Sequence, residues 1–299
     1  MEADAVSALR ELLSEIVDYA GLFPPAQLDM PAAVTEYAAH RASPERWMLA
    51  RFVVPVARLA ELAATAGARL PAAATGDPWR LSGLVGADAA ADAAAIASFN
   101  AAHSGRAVVD AVELKAATPA EVERALSALP RGLTAYVELP LRADLEPLLA
   151  AVKAGGARAK LRTGGLAPEA IPAPADVARF MAACRAAGVP FKATAGLHHP
   201  LRAEQALTYA ADSPRGVMHG FLNVFAAGAL LRAGAPAAEA EALLREQRPG
   251  ALRFHEAGFE WDGRQLPAAA LAAGRDFAVG FGSCSFREPV AELRQMGLL

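Results

Sequence analysis

Cysteine is nearly absent from this sequence. Its two copies, Cys184 and Cys284, lie far apart, so they make neither a disulfide framework nor a CxxC metal pair. Basic charge is not in excess: the formal net charge is −3, which excludes the basic field that nucleic-acid binding uses. Long apolar runs are missing too. The hydrophobic stretches are alanine-rich and broken by charge, so none reads as a membrane span. The opening "MEADAVSALRELLSEIVDYAG" is an acidic amphipathic helix without the basic start and apolar stretch of a signal peptide. The expectation is a cytoplasmic globular protein that meets a small molecule, not nucleic acid or membrane.

Lysine is scarce as well. Of 29 basic residues only Lys115, Lys153, Lys160 and Lys192 are lysine, a usage expected of a GC-rich bacterial genome in which arginine serves wherever positive charge is enough. A lysine retained in such a chain points to what arginine lacks, a titratable amine on a compact ammonium. Three of the four fall on expected strands.

What is present is a regular alternation. Hydrophobic residues make up 54% of 299, enough for a substantial core. Strands are expected at 46–55, 79–86, 107–116, 133–141, 157–165, 189–197, 216–225 and 276–286. Helices are expected between them at 56–67, 87–102, 119–128, 143–153, 174–187, 201–211 and 226–246, the last with a break near Gly234. Eight strand–helix units without a low-complexity linker predict a single (β/α)8 TIM barrel. An open doubly wound sheet is the alternative, but no strand–GxGxxG–helix signature occurs. Residues 1–45 are expected to precede the barrel as a helical cap. The segment 252–266, with its Asp262-Gly263 turn, is expected to insert a β-hairpin before the last strand. Its Phe254, Phe259 and Trp261 are read as packing, with a homo-oligomer interface as the other use.

In such barrels the chemistry sits at the C-terminal ends of the strands, and residues two apart share a face. Those ends carry a polar ring: Arg51 on the first expected strand, Glu113 and Lys115 on the third, Tyr136 and Glu138 on the fourth. The fifth adds Lys160, Arg162 and Thr163, the sixth Lys192 and Thr194, the seventh His219 and Asn223, and the eighth Gly282, Ser283 and Ser285. Burying so many ionisable groups is costly unless they pair or serve a site. Cations outnumber carboxylates, which favours a small anionic substrate, a carboxylate or a phosphate.

Lys192 stands in "VPFKATAGLHHP". Desolvation and the neighbouring Lys160 and Arg162 are expected to lower its pKa and make it a Schiff-base nucleophile, with Glu138 or Glu113 moving protons and Lys160 assisting. "FKATAGLHHP" resembles the Schiff-base segment of class I deoxyribose-phosphate aldolases, a K-x-S/T-x-G core on strand 6, through Lys192, Thr194 and Gly196. "AKLRTGGLAPEAI" (159–171) is similar to that family's strand 5. "VGFGSCSF" (279–286) resembles its strand 8, where a glycine–hydroxyl turn holds the substrate phosphate. The resemblance departs at strand 7: that family carries a second, tuning lysine there in K-x-S-G-G, and this chain has "MHGFLNVF". The resemblance implies Lys192 as the Schiff-base lysine, with Lys160 or Lys115 in the tuning role and no cofactor.

His198 and His199 follow Gly196, and His219 lies at the next expected strand. They are read as substrate donors or acid–base groups. Their spacing fits no named metal pattern, and a site with glutamate is the alternative ligand set. Asp18 and Tyr19, before "GLFPP", are read either as a lid or as a plain helix-end turn. Cys284 reads as a small buried thiol. The expected function is a carbon–carbon lyase working through a lysine Schiff base. The alternatives are a metal-dependent isomerase or hydrolase and a non-catalytic binder of a small anionic metabolite.

Overall fold

Short apolar strands followed by helices with marked caps build the molecule. Asp29 opens the helix Met30–Arg41 by accepting from Ala32 N at 2.8 Å, and Thr118 opens Pro119–Ser127 by accepting from Glu121 N at 3.3 Å. Gly188, at φ 67°, closes the helix Pro174–Ala187 in the left-handed conformation such an end requires. The computed structural model describes residues 7–74 and 76–299.

Seven barrel strands come first: β1 (Val17–Tyr19), β2 (Leu49–Pro55), β3 (Trp79–Leu84), β4 (Ala107–Lys115), β5 (Thr134–Glu138), β6 (Arg158–Arg162) and β7 (Phe191–Thr194). The chain then leaves the barrel for an antiparallel ribbon, β8 (Ala203–Ala206) and β9 (Arg215–Met218). A three-stranded antiparallel sheet follows, β10 (Arg253–His255), β11 (Gly258–Trp261) and β12 (Arg264–Pro267). Finally β13 (Ala278–Ser283) enters between β7 and β1 and closes an all-parallel, eight-stranded barrel. The (β/α)8 reading holds. Buried Phe52, Val54, Leu81, Val109, Val137 and Leu161 belong to one continuous apolar core.

One of the eight expected strands is absent from the barrel, and one strand that was not expected takes part in it. The N-terminal segment is not a cap that precedes the barrel: Val17–Tyr19 is its first strand, paired to β2 and β13, and Met30–Arg41 is the first crossover helix. Residues 1–6 lie outside the described residues. The expected strand 216–225 is not in the barrel. Its first residues pair in the ribbon, and Phe221–Arg232 is a helix buried on all sides. The expected helix 201–211 is absent, replaced by β8 and turns. One strand gained and one lost leave the count at eight, but Lys192 moves from the sixth strand to the seventh and Lys160 from the fifth to the sixth. The break near Gly234 is observed, at φ 104°, between Phe221–Arg232 and Ala237–Arg245. The insertion is a three-stranded sheet rather than a hairpin, and its Phe259 and Trp261 are buried within the chain.

Candidate active site

The strand register assembles the charges. Lys115 is the partner of Glu138, Glu138 of Lys160, and Lys160 of Lys192, so β4 to β7 contribute one charged residue each to a single layer. Partners in register on parallel strands project to the same side, and alternation brings Glu113 to that side two residues before Lys115. Sequence parity therefore found the layer, although the strand numbers shift.

Glu113 holds the layer together. Its Oε2 lies 2.9 Å from Lys160 Nζ, and its Oε1 accepts from Lys192 Nζ and, at 2.9 Å, from Ser82 Oγ. Lys192 Nζ also donates to Asp18 Oδ2, and the other oxygen of Asp18 is fixed by the Arg51 N–H at 2.9 Å. The Tyr136 ring, 5.2 Å from the Lys192 ammonium, lies against the same group. Lys192 is 1% exposed and Glu113 3%. Burial alone would favour the neutral amine at Lys192. Asp18 and Glu113 outweigh it and hold the ammonium above the ordinary lysine range. This corrects the expectation that Lys192 is deprotonated by neighbouring cations. Burial would likewise raise Glu113, but Lys192 and Lys160 hold it well below the ordinary carboxylate range.

Glu138 is the second acid. Its Oε2 lies 2.9 Å from Lys160 Nζ without the alignment of a hydrogen bond, and its Oε1 accepts from Arg162 Nε at 3.1 Å. Lys115 Nζ stands 3.8 Å from that oxygen and is largely exposed. Burial raises Glu138, and the cations of Lys160 and Arg162 outweigh it and keep it below its usual value.

A cavity of about 420 Å³ opens above this layer, at the C-terminal ends of the strands, where barrel chemistry is expected. Glu113, Lys115, Glu138, Lys160, Arg162 and Thr194 line it on one side. His198 lines it after β7, Gly282 and Cys284 at the end of β13, and Phe23, Pro24 and Pro25 after β1. The ribbon contributes Leu207 and Met218. Lys192 is not in the lining; it lies beneath, behind Glu113. The loops after β6 and β7 are sewn together by Thr163, whose Oγ1 donates to Thr194 O at 3.1 Å. Gly164 and Gly196 meet backbone to backbone: a Cβ on Gly196 would stand 2.9 Å from Gly164 Cα, and Gly196 sits at φ 76°.

Several sequence candidates lie elsewhere. The Arg51 side chain turns to Asp110, at 2.6 Å, in a network with Arg80 and Glu15, and is not among the residues that line the cavity. Asn223 is fully buried on the Phe221–Arg232 helix and ties Arg202 N to the carbonyls of Leu243 and Glu246. Ser283 is buried against His198 at 3.4 Å, and Ser285 Oγ accepts from Glu288 N at the start of the last helix. Of the proposed strand-8 anion turn only Gly282 faces the cavity, with Cys284 beside it.

The histidines go to separate partners. His198 Nδ1 lies 3.2 Å from Glu288 Oε2, and His199 Nδ1 lies 2.6 Å from Glu292 Oε1. His219 Nε2 meets Pro172 O at 2.8 Å in full burial, which lowers its pKa to about 4. The alternative metal set of His198, His199 and His219 is therefore not assembled. Among the described residues no group of three or more His, Cys, Asp or Glu is placed to hold a metal ion.

Sequence reasoning missed Asp18 as the anchor of Lys192. Its signal is weak, one carboxylate between apolar neighbours in "IVDYAG". Ser82, whose hydroxyl fixes Glu113, carried no signal beyond strand parity.

Among the described residues no helix is long and apolar enough to cross a membrane. No family model and no curated protein matches the chain. Among solved structures, the lysine/ornithine decarboxylase of Vibrio vulnificus, complexed with cadaverine, is similar at a TM-score of 0.39 and 14% identity, over 63% of this chain. The chain spans about half of that protein, 48% of its length.

Proposed function

We propose that the chain is an enzyme of carbonyl chemistry, a carbon–carbon lyase, in which Lys160 forms a Schiff base with a small anionic substrate. One observation carries the reading. Two buried ammoniums share one carboxylate, and only Lys160 reaches the cavity. Lys192 is the fixed charge, clamped by Asp18 and Glu113. A cation held beside a nucleophilic amine is a general means of activating it. The revised strand count supports this: in the resemblance to class I deoxyribose-phosphate aldolases the Schiff-base lysine belongs to strand 6 and the tuning lysine to strand 7. Lys160 and Lys192 hold those two strands.

The chemistry balances with groups already in place. Lys160 passes a proton to Glu138, whose Oε2 lies 2.9 Å away with no hydrogen bond. The free amine attacks the carbonyl carbon. The carbonyl oxygen takes back the proton held by Glu138 and a second from the attacking nitrogen, leaves as water, and the iminium remains until water hydrolyses it and frees Lys160. The iminium draws in the electron pair of a neighbouring C–C bond as it breaks, or lends its enamine to make one, with Glu138 carrying the proton. Arg162 and Lys115 stand at the rim for an anionic group. Borohydride treatment with small aldehydes and keto acids tests the reading. A stable mass increase is expected in the wild type and none in Lys160→Met, and an equal increase in both would overturn it.

A further inference from the structure

The side of the cavity away from β4 and β5 carries a second polar cluster that the Schiff-base reading does not use. His198 is 7% exposed and lines the cavity. Its Nδ1 lies 3.2 Å from Glu288 Oε2, 3.4 Å from Ser283 Oγ and 3.9 Å from Cys284 Sγ. Among the described residues nothing bonds its Nε2. Tyr209, at the turn of the ribbon, donates to the same Glu288 oxygen at 3.1 Å and lies 3.7 Å from Cys284 Sγ. The groups facing the ring are thus Glu288, Cys284, Ser283 and, at 6.3 Å between centroids, His199. The same cavity has apolar lining at Phe23, Pro25, Leu207 and Met218.

We propose that His198 is the donor that grips a second oxygen of the substrate in the cavity that Lys160 also lines, with Glu288 and Tyr209 as its positioning residues. This rests on the Schiff-base reading and names its substrate class: a carbonyl compound that carries a hydroxyl or carboxylate a few carbons away. A histidine fixed at one nitrogen by a carboxylate presents a defined N–H at the other. Burial would lower its pKa, and the contacts with Cys284 and Glu288 raise it to about 9, so the ring enters neutral solution as a charged donor. A site built to bond an oxygen rejects the analogue that lacks it far more strongly than an apolar pocket does.

Glyceraldehyde and propanal test this, because they share a carbon count and differ in hydroxyls. The protein is labelled at histidine 13Cε1, and the His198 signal is assigned by its loss in His198→Asn. Glyceraldehyde is expected to move that signal and propanal to leave it in place. Borohydride trapping is expected to half-saturate at an at least tenfold lower concentration of glyceraldehyde. His198→Asn should erase that preference. Glu288→Gln should shift the His198 titration toward the ordinary histidine range and reduce the preference for glyceraldehyde over propanal. An unmoved His198 signal, or a preference that survives His198→Asn, would overturn the proposal. A moved signal without any trapping would sustain the His198 contact and reject the Schiff base.

Discussion

Glu113 sits between two lysines, with Oε2 2.9 Å from Lys160 Nζ and Oε1 accepting from Lys192 Nζ. The pairing makes both ammoniums tolerable in a site that is almost closed to water. Removing one partner of such a set leaves a buried charge uncompensated, at a cost of about 3–5 kcal/mol. Glu113→Gln should therefore lower the free energy of unfolding by an amount in that range, seen as a lower denaturation midpoint. Glu61→Gln, which breaks the exposed Arg58–Glu61 pair, should leave the midpoint unchanged. Equal effects would mean that the buried network contributes no more than a surface ion pair.

Acid should weaken the fold before the carboxylates titrate. His219 is buried, and burial lowers its pKa to about 4, as burial also does for His40. Each binds a proton more readily when unfolded, so its contribution is complete above the unfolded value and is lost as pH falls toward 4. The linkage is on the order of 3 kcal/mol for His219. Urea unfolding between pH 7 and pH 4 should show falling stability, and His219→Gln should flatten the slope. His198 has the opposite sign: its contribution is complete below the ordinary histidine value and is lost as pH rises through about 9.

The loops that frame the cavity depend on two glycines. Ala at Gly196 would bring a Cβ to 2.9 Å from Gly164 Cα and also occupy φ 76°. Overpacking costs about 1–3 kcal/mol, and the left-handed backbone about 1–2 more. Gly297→Ala, at φ 69° with open space around it, should show only the smaller cost. Denaturation of both variants measures the difference, and equal losses would show that the loop contact is not tight.

Asn223 looked like a substrate ligand and is instead a brace between helices. Asn223→Ala leaves the Arg202 N–H and two carbonyls without their partner and should cost about 1–3 kcal/mol. Borohydride trapping on the folded variant should equal that of the wild type. A selective loss of trapping at unchanged stability would return Asn223 to the site.

What the sequence showed and what it hid have the same physical origin. Glu113, Lys115, Glu138, Lys160 and Lys192 were legible because a charge among apolar strand residues breaks a period of two. "MHGFLNVF" misled because the helix it begins is buried on every side and has no polar stripe, so it reads like a strand. β1 escaped because its three residues close an amphipathic helical pattern. That miss displaced the strand count and hid Asp18. It also moved Lys192 from the expected sixth strand to the seventh.

In the proposed mechanism Lys160, not Lys192, meets the substrate. The most direct measurement is fragmentation mass spectrometry of the borohydride-reduced adduct formed with a small carbonyl compound. The added mass is expected on the peptide containing Lys160, with Lys192 unmodified. An adduct on Lys192, or none on either lysine across aldehydes and keto acids, would contradict it.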